Sequence, residues 1–106
     1  MKTVRKPPQR KTSGDFRAGA EVFKALGSAN RLLLLDALRD GERCVADLTE
    51  RVGLDISTVS NHLSVLRNVG MVADERRGTQ VFYTIRNQCV LKIFQCLTEF
   101  EAAGAR

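Results

Sequence analysis

Hydrophobic residues recur at helical spacing in four successive segments of the chain, and a glycine follows each segment. The first segment ends at Gly27, and either Asp15 or Ser13 is suited to cap its start. The second follows Ser28 and contains four consecutive leucines, so we expect it to be the central and most buried helix. The pattern predicts helices at about residues 15–26, 29–40, 45–52 and 56–69.

The third and fourth predicted helices form a pair with a short turn between them. Gly53 lies in that turn, where a glycine supplies the positive φ that lets two helices cross steeply. One side of the fourth helix is apolar, whereas the opposite side carries small uncharged polar residues. Lysine and glutamate would serve solubility better, while serine, threonine and asparagine suit hydrogen bonding in a DNA groove. We therefore predict a helix-turn-helix whose second helix reads DNA through Ser57, Thr58, Ser60, Asn61 and Ser64.

After the fourth helix the hydrophobic period changes to that of a strand. Residues 71–76 and 80–85 are β-prone runs, and an Arg-Gly-Thr turn joins them into a hairpin. A β-hairpin directly after a helix-turn-helix is a wing. Its tip carries Arg76 and Arg77, which are predicted to reach phosphates or the minor groove. The alternative is a solvated hairpin tip, which also commonly carries charge.

The last segment is amphipathic, and no later part of the sequence covers its apolar face. Asn87 is suited to cap a helix over about residues 88–103. A large apolar face without a covering element indicates a partner subunit, and the first helix is the natural co-partner. The predicted fold is mainly α with a β-hairpin wing: a winged helix-turn-helix that forms a homodimer through its first and last helices.

Length and charge limit the classes of protein that the chain can be. The 106 residues make one domain, and the net charge of +5 arises in residues 1–14, which hold five basic residues and no acidic one. We expect residues 1–14 to be a disordered tail, either a phosphate-contacting arm or a solubilising segment, and residues 15–104 to be the folded domain. No run suits a membrane helix or a signal peptide, which predicts a cytoplasmic protein. One histidine, no nucleophile motif and no phosphate-binding loop argue against an enzyme.

Four motifs spread over roughly residues 15–100 resemble the ArsR/SmtB family of metal-sensing bacterial repressors. They are Leu26-Gly27-Ser28-Ala29-Asn30-Arg31-Leu32, Val59-Ser60-Asn61-His62-Leu63-Ser64-Val65-Leu66-Arg67, Gly70-Met71-Val72 and Arg76-Arg77-Gly78-Thr79-Gln80-Val81-Phe82-Tyr83. The resemblance implies a homodimeric winged helix-turn-helix that represses an operon until an inducer lowers its DNA affinity. It also adds His62, Arg67 and Gln80 to the candidate DNA contacts. For His62, a phosphate contact or a packing role is favoured over metal ligation.

The three cysteines are the candidate ligands for an inducer. Arsenite sensors of the family often carry Cys-Val-Cys-Asp-Leu at the start of the third helix, and here the matching residues are Cys44-Val45-Ala46-Asp47-Leu48. Cys44 is thus kept at the predicted helix N-terminus, where free N–H groups favour an anionic ligand. Cys89 and Cys96 lie seven residues apart in the predicted last helix, about 10.5 Å along its axis. That separation exceeds the reach of one disulfide or one shared metal. Either the helix is broken there, or each thiol finds a partner elsewhere, such as the other subunit's last helix.

Thiols without a nearby cluster of histidines or carboxylates favour a soft inducer. The leading hypothesis is a repressor released from double-stranded operator DNA when Cys44, Cys89 and Cys96 bind trivalent arsenic, as arsenite or an organoarsenical. Cadmium or lead is an alternative inducer, and a cysteine-based redox or persulfide sensor is an alternative mechanism. A constitutive DNA-binding protein with structural cysteines is a third possibility. None of these readings requires an obligatory cofactor.

Overall fold

The computed structural model describes residues 10–104, which form five α-helices, three strands and two short 3-10 turns. Of the predicted disordered tail, residues 1–14, residues 1–9 lie outside the described residues. The helices are α1 (Arg17–Leu26), α2 (Ala29–Ala37), α3 (Val45–Val52), α4 (Ile56–Asn68) and α5 (Leu91–Ala102). The strands are β1 (Arg43–Cys44), β2 (Val72–Arg77) and β3 (Gln80–Ile85).

The start of the first helix differs from the prediction. A 3-10 turn, Ser13–Phe16, precedes α1, and its capping position is held by Thr12 rather than by Ser13 or Asp15. Asp15 closes the turn from within, because its carboxylate accepts a hydrogen bond from the Thr12 backbone N–H over 2.9 Å. Gly27 ends α1 as predicted, with an ordinary φ of −80°. The 3-10 turn therefore begins at Ser13, within the predicted tail of residues 1–14.

The second helix is the central one, as its leucines predicted. Ser28 caps it, and its hydroxyl accepts a hydrogen bond from the Arg31 backbone N–H. Leu34 and Leu35 are fully buried, and so is Leu38, which caps the helix C-terminus. The helix ends earlier than predicted, because the chain leaves helical geometry after Ala37 and turns before Gly41.

The helix-turn-helix has the predicted bounds to within a residue. Gly53 follows α3 with φ 71°, a left-handed conformation that favours glycine. Val59, Leu63 and Leu66 of α4 are fully buried and pack with leucines of α2 and α3. The spacing of these three residues therefore placed the apolar side of α4 correctly.

The wing is part of a three-stranded antiparallel sheet with strand order β1-β3-β2. The hairpin pairs Arg77 with Gln80, so its turn consists of Gly78 and Thr79 alone. Strand β1 was not predicted, since two residues carry no recognisable period. It pairs Cys44 with Phe82 and thereby fixes the start of α3 to the wing.

The last helix begins later than predicted. Asn87 caps a 3-10 turn, Gln88–Val90, by accepting a hydrogen bond from the Cys89 backbone N–H, and α5 starts only at Leu91. Placing Cys89 in the last helix was therefore wrong, because it lies in the turn before it. Val90 is buried in the core that α2, α3 and α4 share, while α5 itself has no fully buried residue.

Two helices carry large apolar side chains that the described residues leave uncovered. Phe23 of α1 is 70% exposed and Phe100 of α5 is 65% exposed, and Phe16 and Leu97 are also exposed. These residues lie on the two helices predicted to form the dimer. None of the helices within residues 10–104 has the length and apolarity needed to cross a bilayer.

The turn at Gly53 allows a direct test of the fold. We expect Gly53→Ala to lower the free energy of unfolding by about 1–2 kcal/mol, because a side chain disfavours the left-handed conformation. A Cβ would meet no atom within 4 Å, so the loss is conformational rather than steric. Urea denaturation measures the change. Gly19→Ala is the matched control: Gly19 lies in α1 with equally open space, and alanine there is expected to stabilise by about 0.5–1 kcal/mol. Equal changes in the two variants would contradict the argument.

Candidate nucleic-acid interface and thiol sites

The outer side of α4 presents small hydrogen-bonding groups without negative charge. Ser57, Ser60 and Asn61 are exposed, Ser64 is half-buried, and α4 contains no acidic residue. Hydroxyl and amide groups of this size can approach base edges closely, and they can donate or accept. The structure therefore places most of the predicted base-contacting residues together on one accessible helix surface.

Thr58 has a second role that the sequence analysis did not assign. Its hydroxyl and its backbone N–H both donate to the Asp55 carboxylate, which caps α4. These two hydrogen bonds lower the pKa of Asp55 below its ordinary value, and the bond from the hydroxyl contributes most. A carboxyl group with a lowered pKa stabilises the fold above its unfolded pKa and loses that contribution as the pH falls through its folded value. The cap of α4 is thus present at neutral pH and lost in acid.

Ile56 is a candidate DNA contact that the sequence analysis missed. It begins α4, lies next to Ser57 and is 58% exposed. Apolar side chains in the major groove contact the methyl group of thymine. The sequence contained an indication of this role, because Ile56 lies outside the buried apolar side of α4, where an exposed helix position usually carries a polar residue.

The two wing arginines have different surroundings. Arg77 donates two hydrogen bonds to Glu42, at 2.7 and 2.6 Å, and one to Glu75, and it stacks on the Phe82 ring. These carboxylates raise the pKa of Arg77 further above its ordinary value. Arg76 is exposed, and no carboxylate within residues 10–104 forms an ion pair with it. Arg76 is therefore the wing cation free to meet a phosphate, whereas Arg77 holds the wing to the segment before β1.

A further ion pair connects α4 to the wing. Arg67 near the end of α4 donates to Asp74 of β2 over 2.9 Å. Both side chains are substantially exposed, and such pairs contribute about 0–1 kcal/mol. Arg67 thus helps to set the angle between helix and wing, while a DNA phosphate could still compete with Asp74. Gln80 is exposed and opposes Arg77 at the base of the hairpin turn.

His62 is half-buried and contacts a side chain of α2. Its Nδ1 lies 3.1 Å from a guanidinium nitrogen, Nη1, of Arg31 in the first turn of α2. The sequence analysis quoted Arg31 within a motif but gave it no role, since the two residues are 31 positions apart and no periodicity joins them. Within the described residues no group of three or more His, Cys, Asp or Glu side chains is arranged to hold a metal.

The three thiols lie in three separate places. Cys44 is half-buried and borders a cavity of about 280 Å³ between the start of α3, the start of α4 and the hairpin turn. Cys89 is exposed and borders a smaller cavity of about 150 Å³ beside Met71 and Ile93. Cys96 is exposed on α5, beside Phe100. Among the described residues of one protomer, no two of them border the same cavity. The sequence spacing predicted this separation for Cys89 and Cys96 only.

Cys44 also occupies the capping position of α3. Its side chain makes no capping hydrogen bond there, and its backbone is extended. The side-chain hydrogen bonds of this region instead involve Arg43, which donates to the Ala37 carbonyl and to Asp47. The thiol is therefore held beside the DNA-reading helix without a hydrogen bond that caps α3.

A β-hairpin wing after a helix-turn-helix, with a polar recognition helix and, at the wing tip, an arginine free of ion pairs among residues 10–104, defines a winged helix-turn-helix DNA-binding protein. Residues 28–74 match the model of the bacterial regulatory protein arsR family. The chain belongs to this family. It is a transcriptional regulator and not an enzyme.

Curated relatives and solved structures agree with this assignment. The chain is 38% identical over 82 residues to the HTH-type transcriptional regulator NmtR of Mycobacterium tuberculosis, covering 74% of this chain and 68% of NmtR. It resembles the crystal structure of the AntR antimony-specific transcriptional repressor, with 33% identity, a TM-score of 0.75, and coverage of 99% and 100% of the two chains. It also resembles the homodimeric winged helix-turn-helix DNA-binding domain Mb0332 of Mycobacterium bovis, with 31% identity, a TM-score of 0.75, and coverage of 85% and 86%.

Proposed function

We propose that this protein is a dimeric, metal-responsive repressor that trivalent arsenic, or its heavier congener antimony, releases from operator DNA. The observation that carries the proposal is the position of Cys44. Its cavity is also bordered by Ile56 and Ser60 of α4 and by Gln80 of the wing. The Cys44 thiol therefore lies between α4 and the wing, the two elements proposed to contact DNA. The similarity to a repressor described as antimony-specific supports the same inducer class.

A soft metalloid suits this ligand set better than a hard cation does. Thiolates prefer soft metal ions, whereas oxygen ligands prefer hard ones. Cys44 shares its cavity mainly with aliphatic, hydroxyl and amide side chains, and no carboxylate or imidazole borders it. Because the three thiols of one protomer lie apart, we propose that the partner subunit supplies further thiolates, and Cys96, exposed on α5, is the proposed donor.

The proposed release works through the geometry of the wing. Strand β1 pairs with β3 and places Cys44 opposite Phe82, so a ligand bound by this thiol acts on the backbone that fixes the wing to α3. A ligand shifts an equilibrium only by its differential affinity for the two states. A metalloid that fits the cavity better when α4 and the wing move apart lowers the population that binds DNA.

DNA binding itself is proposed to follow the usual docking of such dimers. Helix α4 of each subunit enters a major groove, and the wing contacts the flanking backbone. A regulator that binds the chromosome acts in the cytoplasm. The proposed contacts to DNA are Ile56, Ser57, Thr58, Ser60, Asn61, His62, Ser64, Arg67, Arg76 and Gln80. Arg77, which the sequence also suggested, is proposed to hold the wing through Glu42 instead.

Inducer-dependent release tests the proposal. A duplex is first selected by the reduced protein from a random-sequence DNA library. Fluorescence anisotropy of the complex is then followed during separate titrations with arsenite, antimonite, cadmium, lead, zinc and a persulfide donor. We expect arsenite or antimonite to release the DNA at concentrations at which zinc does not. We expect Cys44→Ser to raise the releasing concentration roughly tenfold or more, as loss of a ligand should.

The remaining cysteines and inducers supply the controls. Cys89→Ser and Cys96→Ser show whether the second and third thiolates take part, and all three variants should bind the duplex as tightly as the parent protein. Release by cadmium or lead alone would show that the inducer is a soft divalent ion and not a metalloid. Release by the persulfide donor alone, with a mass change of the intact protein, would identify a redox sensor. No release by any of them would leave a constitutive DNA-binding protein.

A further inference from the structure

Arg31 connects the end of α1 to the DNA-reading helix. Its Nε donates to the Ala25 carbonyl over 2.6 Å, and its Nη2 lies 3.5 Å from the Lys24 carbonyl. Both carbonyls belong to the last turn of α1, where the helix dipole favours a cation. Its remaining nitrogen, Nη1, lies 3.1 Å from Nδ1 of His62 in α4. A single half-buried guanidinium therefore contacts two helices besides its own.

The chemistry of the two groups fixes the form of the histidine. A guanidinium has only donors, so the nitrogen that it contacts must accept. Nδ1 of His62 then carries the lone pair, and a neutral imidazole carries its proton on Nε2. Among the described residues Arg31 is the only side chain that is hydrogen-bonded to His62. The Nε2–H donor is consequently left without a protein acceptor in this part of the chain.

We propose that Arg31 is a positioning residue for DNA binding. By donating to Nδ1, it holds His62 in the Nε2–H tautomer, so that this N–H can donate to a backbone phosphate of DNA. The proposal rests on the proposed function insofar as α4 must lie against DNA. Arg31 acts through His62 and not on DNA directly, because it is half-buried and two of its three nitrogens face carbonyls of α1.

The surroundings of the contact favour a positioning role over simple packing. A groove of about 350 Å³ separates α1 from the C-terminal half of α4, lined by Lys24 and Ala25 on one side and Val65 and Asn68 on the other. Arg31 also borders this groove. Its side chain thus spans a gap between the two helices that apolar packing does not fill.

A nuclear magnetic resonance measurement tests the tautomer without DNA. His62 is the only histidine of the chain, so a long-range proton–nitrogen spectrum of the labelled protein contains one imidazole. At about pH 8.5, where an ordinary imidazole is neutral, we expect the pattern of the Nε2–H tautomer. In Arg31→Met the pattern should change toward a mixture of the two tautomers. An Nδ1–H pattern in the parent protein would overturn the proposal, whatever the stability of the variant.

Binding to the selected duplex tests the role in DNA recognition. A hydrogen bond to a phosphate has a charged acceptor, so its loss should weaken binding about tenfold or more, and a dimer that makes the contact twice should lose roughly a hundredfold or more. We expect this loss in His62→Asn, and a smaller loss in Arg31→Met, because a mixture of tautomers keeps part of the Nε2–H donor. The amide oxygen of His62→Asn replaces the Nδ1 acceptor, but that variant lacks a donor at the position of Nε2. His62→Gln places a donor near Nε2 and should retain more affinity than His62→Asn.

Two further readouts separate positioning from other roles. A neutral donor releases no counterion of its own, so neither Arg31→Met nor His62→Asn should change the salt dependence of binding. A direct phosphate contact by Arg31 would reduce the slope of log K against log salt by about 0.9 per contact and would overturn the proposal. In the His62→Gln background, Arg31→Met should weaken binding little further. Equal losses in both backgrounds would indicate a purely structural residue. Failure of the parent protein to select any duplex would instead refute the proposed function.

Discussion

Phe100→Glu is expected to convert the protein to a monomer and to weaken binding to the selected duplex by about 100-fold or more. Phe100 lies on α5 with 65% of its side chain exposed in one protomer, and Phe23 on α1 is exposed to a similar degree. Buried between two subunits, these rings contribute through apolar area, whereas a carboxylate in their place would lose its hydration without a partner. In a dimer, binding of one subunit to its half-site raises the effective concentration of the other subunit at the second half-site. A monomer lacks this gain, so its affinity for the duplex falls.

Sedimentation equilibrium measures the subunit state, and the anisotropy titration measures the affinity. Ile56→Glu is the matched control, because Ile56 is a similarly exposed apolar residue on α4 rather than on α1 or α5. That variant should sediment as the parent dimer does, even though its DNA affinity falls. A Phe100→Glu protein that remained dimeric would place the subunit contact on other residues. A dimeric Ile56→Glu protein beside a monomeric Phe100→Glu protein would assign the contact to α5.

The helices of this domain could be predicted because their signals are local. Ser28 and Asp55 cap helices where the sequence suggested them, and Gly53 adopts the left-handed conformation that ends α3. The buried residues of α4 follow from their spacing alone, since a helix brings positions separated by three or four residues onto one side. The same spacing predicts which side of α4 faces outward. The small polar residues on that side indicated DNA binding, which the family assignment confirms.

The features that the sequence did not reveal depend on contacts between distant segments. Strand β1 has two residues, and its identity as a strand comes only from its pairing with β3. The contact between Arg31 and His62 joins helices that no periodic pattern relates. The position of Cys89 was mispredicted because Asn87 caps a 3-10 turn as readily as an α-helix, and the two begin with the same capping signal.

These contacts suggest how the DNA-binding elements are held relative to one another. Arg67 connects α4 to the wing through Asp74, Arg77 connects the wing to Glu42, and β1 connects the wing to α3. Two of these connections are exposed ion pairs, which are individually weak. The cavity at Cys44 lies among these elements. A ligand that shifts the tip of the wing therefore opposes exposed ion pairs and a two-residue strand, while Val72, Tyr83 and Ile85 hold the base of the wing in the buried core.

Arg76→Ala is expected to weaken DNA binding more than Arg77→Ala, although the two residues are neighbours of the same type. Arg76 has no ion pair among residues 10–104, so its charge is available to a phosphate. Its removal from both subunits should lower affinity about ten- to a hundredfold and reduce the slope of log K against log salt by about 2, close to one phosphate per subunit. Anisotropy titrations of the selected duplex over a range of salt concentrations measure both quantities.

Arg77→Ala should have a different signature, which makes the pair a test of the geometry. Its guanidinium is held by Glu42 and Glu75 and stacks on Phe82, so its loss frees the wing and leaves two carboxylates without a partner. We expect a smaller loss of affinity with a nearly unchanged salt slope, because the charge lost was not facing DNA. An equal fall of the slope in both variants would mean that Arg77 exchanges its carboxylates for phosphates on binding. The ion pairs of Arg77 would then exist only in the DNA-free protein, and a DNA phosphate would compete with Glu42 for the Arg77 guanidinium.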